Sequence, residues 1–324
     1  QIGDDLAFNM SRTVDWESTI QAAWERGVRL QIEALPGTVL TTLLQNKLIP
    51  DPFYGMNNRL IPDIYETGRA RYTYWFVKEF SEPMPAGGEK VWLHFRGINY
   101  SADVFLNGHK LNTQPDRGMY LRQSYEITPY LSKDGKNRLA VIVYPPDPVG
   151  NPNGGQGGDG TIAHSITNQY TAGWDWIQPI HDRNTGLWDK VIIRKTKQAH
   201  VENTHVVTLV PGRRTPDGKQ APATLKVTTE VENPDSFAAV DGVVSFEVNG
   251  KTTSQKLSIA PLNSEFVEFP AMTIEEPRLW WPNGVGDQPL YHMKVKFLIN
   301  GKQLSDEEDV AFGIRELKAV WNTH

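Results

Sequence analysis

The sequence contains no cysteine, and this absence limits the chemistry open to the chain. Without cysteine there is no disulfide framework, no thiol nucleophile and no thiolate metal site. Basic residues are not in excess, since 33 Lys and Arg stand against 38 Asp and Glu and give a net charge of −5 over 324 residues. A nucleic-acid partner, which needs a basic face, is therefore not expected. No apolar run approaches the roughly 18 residues that span a bilayer, so no membrane role is expected either.

Helical periodicity is scarce, and alternation of apolar and polar residues dominates the chain. The stretch NRLAVIVY, residues 137–144, is apolar on both faces and predicts a buried central strand. Asn-Gly pairs at 107–108, 249–250 and 300–301 are typical of type I′ hairpin turns. The predicted inward faces of three strands are Val91, Leu93 and Phe95; Ala102, Val104 and Leu106; and Leu225, Val227, Thr229 and Val231.

Two further stretches carry local predictions. The residues after Thr38 have apolar side chains at helical spacing, which predicts a helix with Thr38 as its cap. The acidic run SDEEDV, residues 305–310, lacks the spacing of metal ligands and is predicted to be a solvated turn.

The spacing of strands and turn residues predicts an all-β chain of two domains. Residues 1–198 form the first domain, an all-β unit with long loops. Residues 199–316 have short strands every ten residues or so, which is typical of an immunoglobulin-like β-sandwich. The family resemblance described below implies that residues 317–324 are the start of a linker.

One stretch, TAGWDWIQPIHDRNTGLWDK at residues 171–190, combines three of the ten tryptophans with three aspartates. On an extended chain, the rings of Trp174 and Trp176 face one way and the carboxylate of Asp175 faces the other. A carboxylate between two indoles is costly to bury without a purpose, and it suits sugar hydroxyls or an ammonium group. Asp159 lies in the glycine-rich loop at 144–161.

The same stretch continues into Asp182, Arg183 and Asn184. These residue types hold turns by hydrogen bonds from side chain to backbone, so the three are predicted to form a structural loop. In that interpretation, Asp182 and Arg183 pair with each other.

Eight motifs together carry a family resemblance. The chain resembles the N-terminal part of glycoside hydrolase family 2 enzymes, in the branch of exo-β-D-glucosaminidases and β-mannosidases. True β-mannosidases tend to read WDWGP, and this chain departs from that pattern at Ile177, Gln178 and Pro179. In chain order the motifs are LPGTVLTTLLQNKLIPDPFYGMNN, YTYWFVKEF, VWLHFRGINYSADVFLNGHKL, GMYLRQSYEIT, PPDPVGNPNGGQGGDG, AGWDWIQPIHDRNTGLWDKV, PRLWWPNGVGDQPLY and FGIRE.

The resemblance implies a galactose-binding-like jelly-roll sandwich, an immunoglobulin-like sandwich and then a TIM barrel that carries the chemistry. FGIRE marks the end of the second domain and finishes at Glu316, so a barrel of at least about 200 residues is expected to be missing. The family retains anomeric configuration with two glutamates about 5–5.5 Å apart, one of which follows an asparagine. No Asn-Glu dipeptide occurs here, so no catalytic residue is predicted and the chain alone is expected to be inactive.

The resemblance also implies a role for the first domain. Its loops are expected to form a wall of the subsite for the terminal sugar, with Asp175, Trp174, Trp176 and Asp159 binding an oligosaccharide or polysaccharide together with the missing barrel. No cofactor and no metal ligands are predicted, although such jelly rolls sometimes hold a structural Ca²⁺. The family's habits predict a periplasmic or secreted protein. Two alternatives stay open: a stand-alone carbohydrate-binding module and a structural spacer made of β-sandwiches.

Overall fold

A computed structural model of the chain describes residues 37–150 and 180–318. These residues divide into two compact units, one with residues 37–86 and 91–194 and the other with residues 87–90 and 195–318. The domain boundary predicted after residue 198 lies four residues beyond this division. Strands are the main regular secondary structure of both units and helices are few, which confirms the all-β prediction.

The helices in the described part of the chain are short. Thr38 caps the first of them, and its hydroxyl accepts a hydrogen bond from the backbone N–H of Thr41, which confirms the predicted cap. None of these helices is long and apolar enough to cross a lipid bilayer. They are α1 (Val39–Gln45), α2 (Ile64–Thr67) and three 3₁₀ segments (Asn57–Leu60, Arg69–Tyr72 and Thr128–Tyr130).

In the part of the first unit that the structure describes, the strands form three sheets. Their orders are β2-β9-β5-β6 with β7 paired to β5, β11-β3-β8, and β1-β10-β4. Here β11 crosses the division between the units. The strands are β1 (Gly37–Thr38), β2 (Tyr74–Ser81), β3 (Lys90–Phe95), β4 (Ile98–Asn99), β5 (Ser101–Leu106), β6 (His109–Lys110), β7 (Asp116–Arg117), β8 (Gln123–Glu126), β9 (Lys136–Tyr144), β10 (Gly186–Leu187) and β11 (Val191–Thr196).

One hydrophobic core fills the first unit between these sheets. The predicted faces of β3 and β5 are buried within it, because alternate side chains of a strand point to one side. Strand β9 lies between β2 and β5, which confirms the prediction of a central strand. Asn107 and Gly108 join β5 to β6 with φ angles of 50° and 82°, as a type I′ turn requires.

The second unit is a sandwich of two antiparallel sheets. One has the order β12-β13-β16 with β17 paired to β13, and the other has the order β15-β14-β18-β19. The strands are β12 (His200–Leu209), β13 (Ala223–Asn233), β14 (Val240–Val248), β15 (Lys251–Ile259), β16 (Asn263–Glu268), β17 (Met272–Ile274), β18 (Tyr291–Ile299) and β19 (Gln303–Phe312).

The core of this second unit follows the predicted alternation closely. Leu225, Val227, Thr229 and Val231 of β13 are all fully buried. The Asn-Gly turns predicted at 249–250 and 300–301 connect β14 to β15 and β18 to β19, with both residues of each pair at positive φ. The sandwich architecture predicted from these stretches is confirmed.

The acidic run at residues 305–310 is not a solvated turn, and that prediction is wrong. It lies inside strand β19, where Ser305 and Asp306 are buried. The Asp306 carboxylate accepts a hydrogen bond of 2.7 Å from the N–H of Val201, and the hydroxyl of Ser305 donates to the carbonyl of Ala199 at 2.6 Å. Two polar side chains are thus accommodated inside because each pairs with backbone groups of β12 and the residue before it.

Candidate functional site

The predicted sugar-binding residues Asp175, Trp174, Trp176 and Asp159 lie outside the described residues. The structure describes the chain up to Gly150 and again from Ile180. Directly after Ile180, the chain makes a buried turn that gathers polar side chains from distant parts of the first unit. We call this group the polar cluster, and it consists of Asn58, Asp63, Asn99, His181, Asp182 and Arg183.

Arg183 is the most deeply placed cation of the polar cluster, with 1% of its surface exposed. Its guanidinium forms a two-pronged ion pair with Asp63, with both N···O distances at 2.9 Å. The remaining donors bond to the carbonyl oxygens of Val149, Gly150 and Ile180 at 2.9, 3.1 and 2.9 Å. All five N–H groups of the side chain therefore have acceptors, as burial of an arginine requires.

Asp63 serves two structural purposes at the start of α2. Besides pairing with Arg183, its Oδ1 accepts the N–H of Tyr65 at 2.8 Å and so caps the helix. The ring nitrogen Nδ1 of His181 lies 3.4 Å from Oδ2, which is a longer contact. Burial alone would raise the pKa of Asp63, but His181 and Arg183 outweigh it, so the pKa lies below its usual value.

Asp182 is fully buried, and its partners are backbone N–H groups rather than a cation. Its Oδ2 accepts from Leu40 N at 2.7 Å and its Oδ1 from Asn184 N at 2.8 Å. Burial raises the pKa of Asp182 to about 6, although these N–H groups and a hydrogen bond from Thr38 favour the ionised form. The carboxylate thereby fixes the turn against the first turn of α1.

The two neighbours in the turn thus have different partners. Arg183 uses every donor on Asp63 and on carbonyl groups, and Asp182 accepts from Leu40 and Asn184. The interpretation in which Asp182 and Arg183 pair with each other is therefore wrong. The bond from Asn184 N to Asp182 is a side-chain-to-backbone bond of the kind predicted for this loop.

Residues from two other elements complete the polar cluster. The amide of Asn99 at the end of β4 donates to the carbonyl groups of Arg183 and Asn184 at 2.7 and 3.0 Å. This matters because Arg183 and Asn184 adopt left-handed φ angles of 53° and 56°, which are unfavourable for residues other than glycine. Asn58 of the first 3₁₀ segment contacts the Nε2 atom of His181 at 2.7 Å.

The turn passes directly into β10, where the backbones approach closely. A side chain on Gly186 would place its Cβ 2.5 Å from the carbonyl oxygen of Gly37 on β1. Glycine is therefore required at this position for β1, β10 and β4 to pair.

Sequence reasoning missed Asp63, Asn58 and Asn99. One signal was available for Asp63, because an aspartate before an apolar, helix-forming stretch is a cap candidate. Its pairing with Arg183 joins residues 120 positions apart and has no local signature.

The chemistry of the polar cluster is that of a support and not of a reaction centre. Arg183 pairs with Asp63, the Asp182 carboxylate accepts backbone N–H groups, and the arrangement presents no nucleophile paired with a base. Within residues 37–150 and 180–318, no group of three or more His, Asp or Glu side chains lies close enough together to hold a metal ion. Through Arg183, the polar cluster instead bonds to Gly150 and Ile180, the residues on either side of the stretch that contains Asp175.

Comparison with known families supplies the identity of both units. A model described as glycosyl hydrolase 2 galactose-binding domain-like matches residues 16–189, and a model described as glycosyl hydrolases family 2 matches residues 196–315. This chain belongs to glycoside hydrolase family 2. The galactose-binding-like and sandwich domains of family 2 thus account for the two units, as the resemblance implied.

Curated relatives within family 2 match along most of the chain. A mannosylglycoprotein endo-β-mannosidase from Lilium longiflorum is 43% identical over 303 residues, covering 89% of this chain and 31% of the relative. An exo-β-D-glucosaminidase from Streptomyces avermitilis is 30% identical over 295 residues, covering 88% of this chain and 29% of the relative.

Solved structures of family 2 proteins agree with these matches. The exo-chitosanase CsxA of Amycolatopsis orientalis superposes with a TM-score of 0.68 at 29% identity, covering 90% of this chain and 30% of that protein. This chain therefore spans about 30% of the length of the proteins it matches.

Proposed function

We propose that this chain is the non-catalytic N-terminal part of a retaining, exo-acting β-glycosidase. The observation that carries the proposal is the match of 89% of the chain to only 31% of the lily mannosidase, with both N-terminal family domains present. Most of such an enzyme then lies beyond these two units. The chain also contains no Asn-Glu dipeptide, in keeping with catalytic glutamates located elsewhere. Export of the whole enzyme is part of the same proposal.

The substrate we propose is a β-mannoside, with a β-glucosaminide as the second candidate. The lily relative is 43% identical and is named for a mannosylglycoprotein, whereas the glucosaminidase from Streptomyces avermitilis is 30% identical. The lily protein is named as an endo-acting enzyme and the Streptomyces avermitilis protein as an exo-acting one, and the exo mode proposed here is that of the latter.

Within this enzyme, the first unit supplies a wall of the terminal-sugar subsite. In this proposal Asp175 accepts hydrogen bonds from the sugar, and Trp174, Trp176 and Asp159 contribute to the same sugar-binding wall. A charge-assisted hydrogen bond of this kind contributes roughly 1.5–3 kcal/mol to binding. Supporting this role, the chain is anchored at Ile180, five residues after Asp175, by its carbonyl bonds to Arg183.

Hydrolysis assays of two proteins test the proposal. The 324-residue chain and a longer protein that continues with the family's catalytic portion are each given p-nitrophenyl β-mannoside and p-nitrophenyl β-glucosaminide. Only the longer protein should release nitrophenol, and faster from the mannoside. Release by the 324-residue chain itself would contradict the proposal, as would a longer protein that is inactive on both substrates.

Calorimetry with mannan or chitosan oligomers separates a subsite wall from a stand-alone carbohydrate-binding module. A wall that needs the rest of the enzyme predicts no detectable heat when oligomers are added to the 324-residue chain. Millimolar or tighter binding by that chain would favour the module.

A further inference from the structure

A single guanidinium lies where two distant parts of the chain meet. The Nε–H and one Nη2–H of Arg183 donate to the carbonyl groups of Val149 and Gly150, and one Nη1–H donates to the carbonyl of Ile180. Gly150 and Ile180 are the residues on either side of the stretch 151–179. Both ends of that stretch are consequently bonded to the same side chain.

This side chain is held firmly in place. It is 1% exposed, and the two-pronged ion pair with Asp63 orients the plane of its guanidinium. Asp63 is in turn fixed at the start of α2 by the N–H of Tyr65. The direction of the donors toward the three carbonyl groups is therefore set by an element outside the turn.

The backbone of Arg183 is fixed as well. Its N–H donates to Ile180 O at 2.8 Å, and its carbonyl accepts from the side chain of Asn99 at 2.7 Å. The left-handed φ of 53° is maintained by these bonds, since an isolated arginine would avoid it. Hydrogen bonds thus hold both the backbone and the guanidinium of Arg183.

We propose that Arg183 is a positioning residue that ties Val149 and Gly150 to Ile180 and thereby fixes both ends of the stretch between them. Its functional weight rests on the proposed function, which places Asp175 in that stretch. When two points of a chain are held close together, the segment that joins them has lower conformational entropy. Arg183 acts through the chain and does not touch the sugar.

Substitution by lysine tests whether the planar guanidinium, with its five donors, is required at this position. Arg183→Lys keeps a positive charge beside Asp63, but an ammonium has three donors on one atom and cannot reach two carbonyl sets and a carboxylate at once. Arg138→Lys is the matched control, because Arg138 forms its ion pair with Glu79 on an exposed part of β9.

Limited proteolysis of the 324-residue chain provides the readout. The stretch 151–179 contains no Lys or Arg but does contain Tyr170, Trp174 and Trp176, which chymotrypsin cleaves. Arg183→Lys should be cleaved there at least tenfold faster than the unmodified chain, with an unchanged far-UV circular dichroism spectrum, whereas Arg138→Lys should stay within twofold. A folded Arg183→Lys cleaved within twofold of the unmodified chain overturns the proposal. Faster cleavage spread equally over other sites also overturns it, because that reports general loosening.

A measurement on the unmodified chain keeps the proposal testable if Arg183→Lys does not fold. In NMR spectra, the Arg183 Nε–H should exchange with water at least a hundredfold more slowly than that of exposed arginines and show cross-peaks to protons of Val149 or Gly150. An Nε–H signal that exchanges as fast as those of exposed arginines would contradict the proposed positioning role of Arg183.

Kinetics of the longer protein separate this inference from the proposed function. Arg183→Lys should raise KM severalfold with a smaller effect on kcat, because substrate binding is misplaced while the chemistry is intact. If Asp175→Ala impairs activity and Arg183→Lys leaves KM unchanged, the positioning role fails and the subsite wall stands. If Arg183→Lys speeds proteolysis in residues 151–179 but Asp175→Ala has no effect on activity, the proposed subsite wall is contradicted and the positioning role of Arg183 is supported.

Discussion

In the first unit, the buried charged residues Asp63, Asp182 and Arg183 meet at the turn of residues 180–185, whereas in the second unit the buried Ser305 and Asp306 lie inside strand β19. Asp63, Asp182 and Arg183 lie together in the polar cluster and bond to α1, α2 and both flanks of the stretch 151–179. In the second unit, Ser305 and Asp306 bond to backbone groups at or next to β12, a strand of the opposite sheet.

The difference concerns what the buried polar groups hold in place. Strand β19 is already ordered by its backbone hydrogen bonds to β18, so its buried Ser305 and Asp306 need only to satisfy backbone groups at the opposite sheet. The turn at residues 180–185 has no ladder, and its conformation depends on side chains from distant segments. Removing one partner should therefore cost more in the first unit, because a buried charge is left uncompensated.

Asp63→Ala should have the largest effect on this comparison. The substitution leaves the Arg183 guanidinium buried without its counter-ion and removes the cap of α2, which together should lower the free energy of unfolding by about 3–5 kcal/mol. Urea denaturation followed by circular dichroism measures this. Glu79→Ala is the control, since its exposed pair with Arg138 should contribute less than about 1 kcal/mol. A loss below about 1 kcal/mol for Asp63→Ala would contradict the claim that removing a partner of a buried charge costs more stability in the first unit.

Asp182 should give the first unit a specific pH dependence. Its folded pKa of about 6 lies above the usual 3.8, so the protonated side chain stabilises the fold below about pH 4 and this contribution is lost as pH rises through 6. The shift of about 2 pH units corresponds to about 3 kcal/mol. Asp182→Asn abolishes this titration, so the unmodified chain should lose about that much stability relative to the variant between pH 4 and pH 7. The lowered pKa of Asp63 acts in the opposite direction in both proteins and cancels in the difference. A pH-independent difference in unfolding free energy would contradict the account.

Asp306→Ala tests the second unit. The N–H of Val201 loses its acceptor inside the sandwich, which should cost about 1–3 kcal/mol in urea denaturation. Asp309→Ala, on the same strand but paired with the exposed His292, should cost less than about 1 kcal/mol. If Asp306→Ala destabilised the chain as much as Asp63→Ala, buried polar groups would matter equally in both units.

Thr38→Ala should have the smallest effect. Loss of the cap of α1 should cost about 1 kcal/mol, and Thr38→Ser, which keeps the hydroxyl, should cost clearly less. Thr38 also bonds to Asp182, so the pKa of Asp182 should rise further in Thr38→Ala, which a repeat of the pH series would detect. An unchanged pH profile in Thr38→Ala would show that Thr38 does not influence the pKa of Asp182.

The predictions that succeeded from sequence are those with local causes. Alternation placed Val227 and Val231 inside, Asn107-Gly108 gave a two-residue turn, and Thr38 capped α1, because each depends on neighbours within a few positions. Leu40, which bonds to Asp182, and Asp63, which pairs with Arg183, lie 142 and 120 residues away, and no local pattern identifies them. The prediction for the run at 305–310 was wrong for the same reason, since the groups that bond to its buried residues lie at the other sheet, more than 100 residues away.

The role of Asp175 at the terminal-sugar subsite is tested most directly by kcat/KM of the longer protein on an aryl β-mannoside. Losing a charge-assisted hydrogen bond worth roughly 1.5–3 kcal/mol should lower kcat/KM of Asp175→Ala by about 10- to 150-fold. Asp217→Ala, at an exposed loop of the second unit, should stay within twofold of the unmodified enzyme. A change of less than threefold in Asp175→Ala would contradict the role assigned to the first unit.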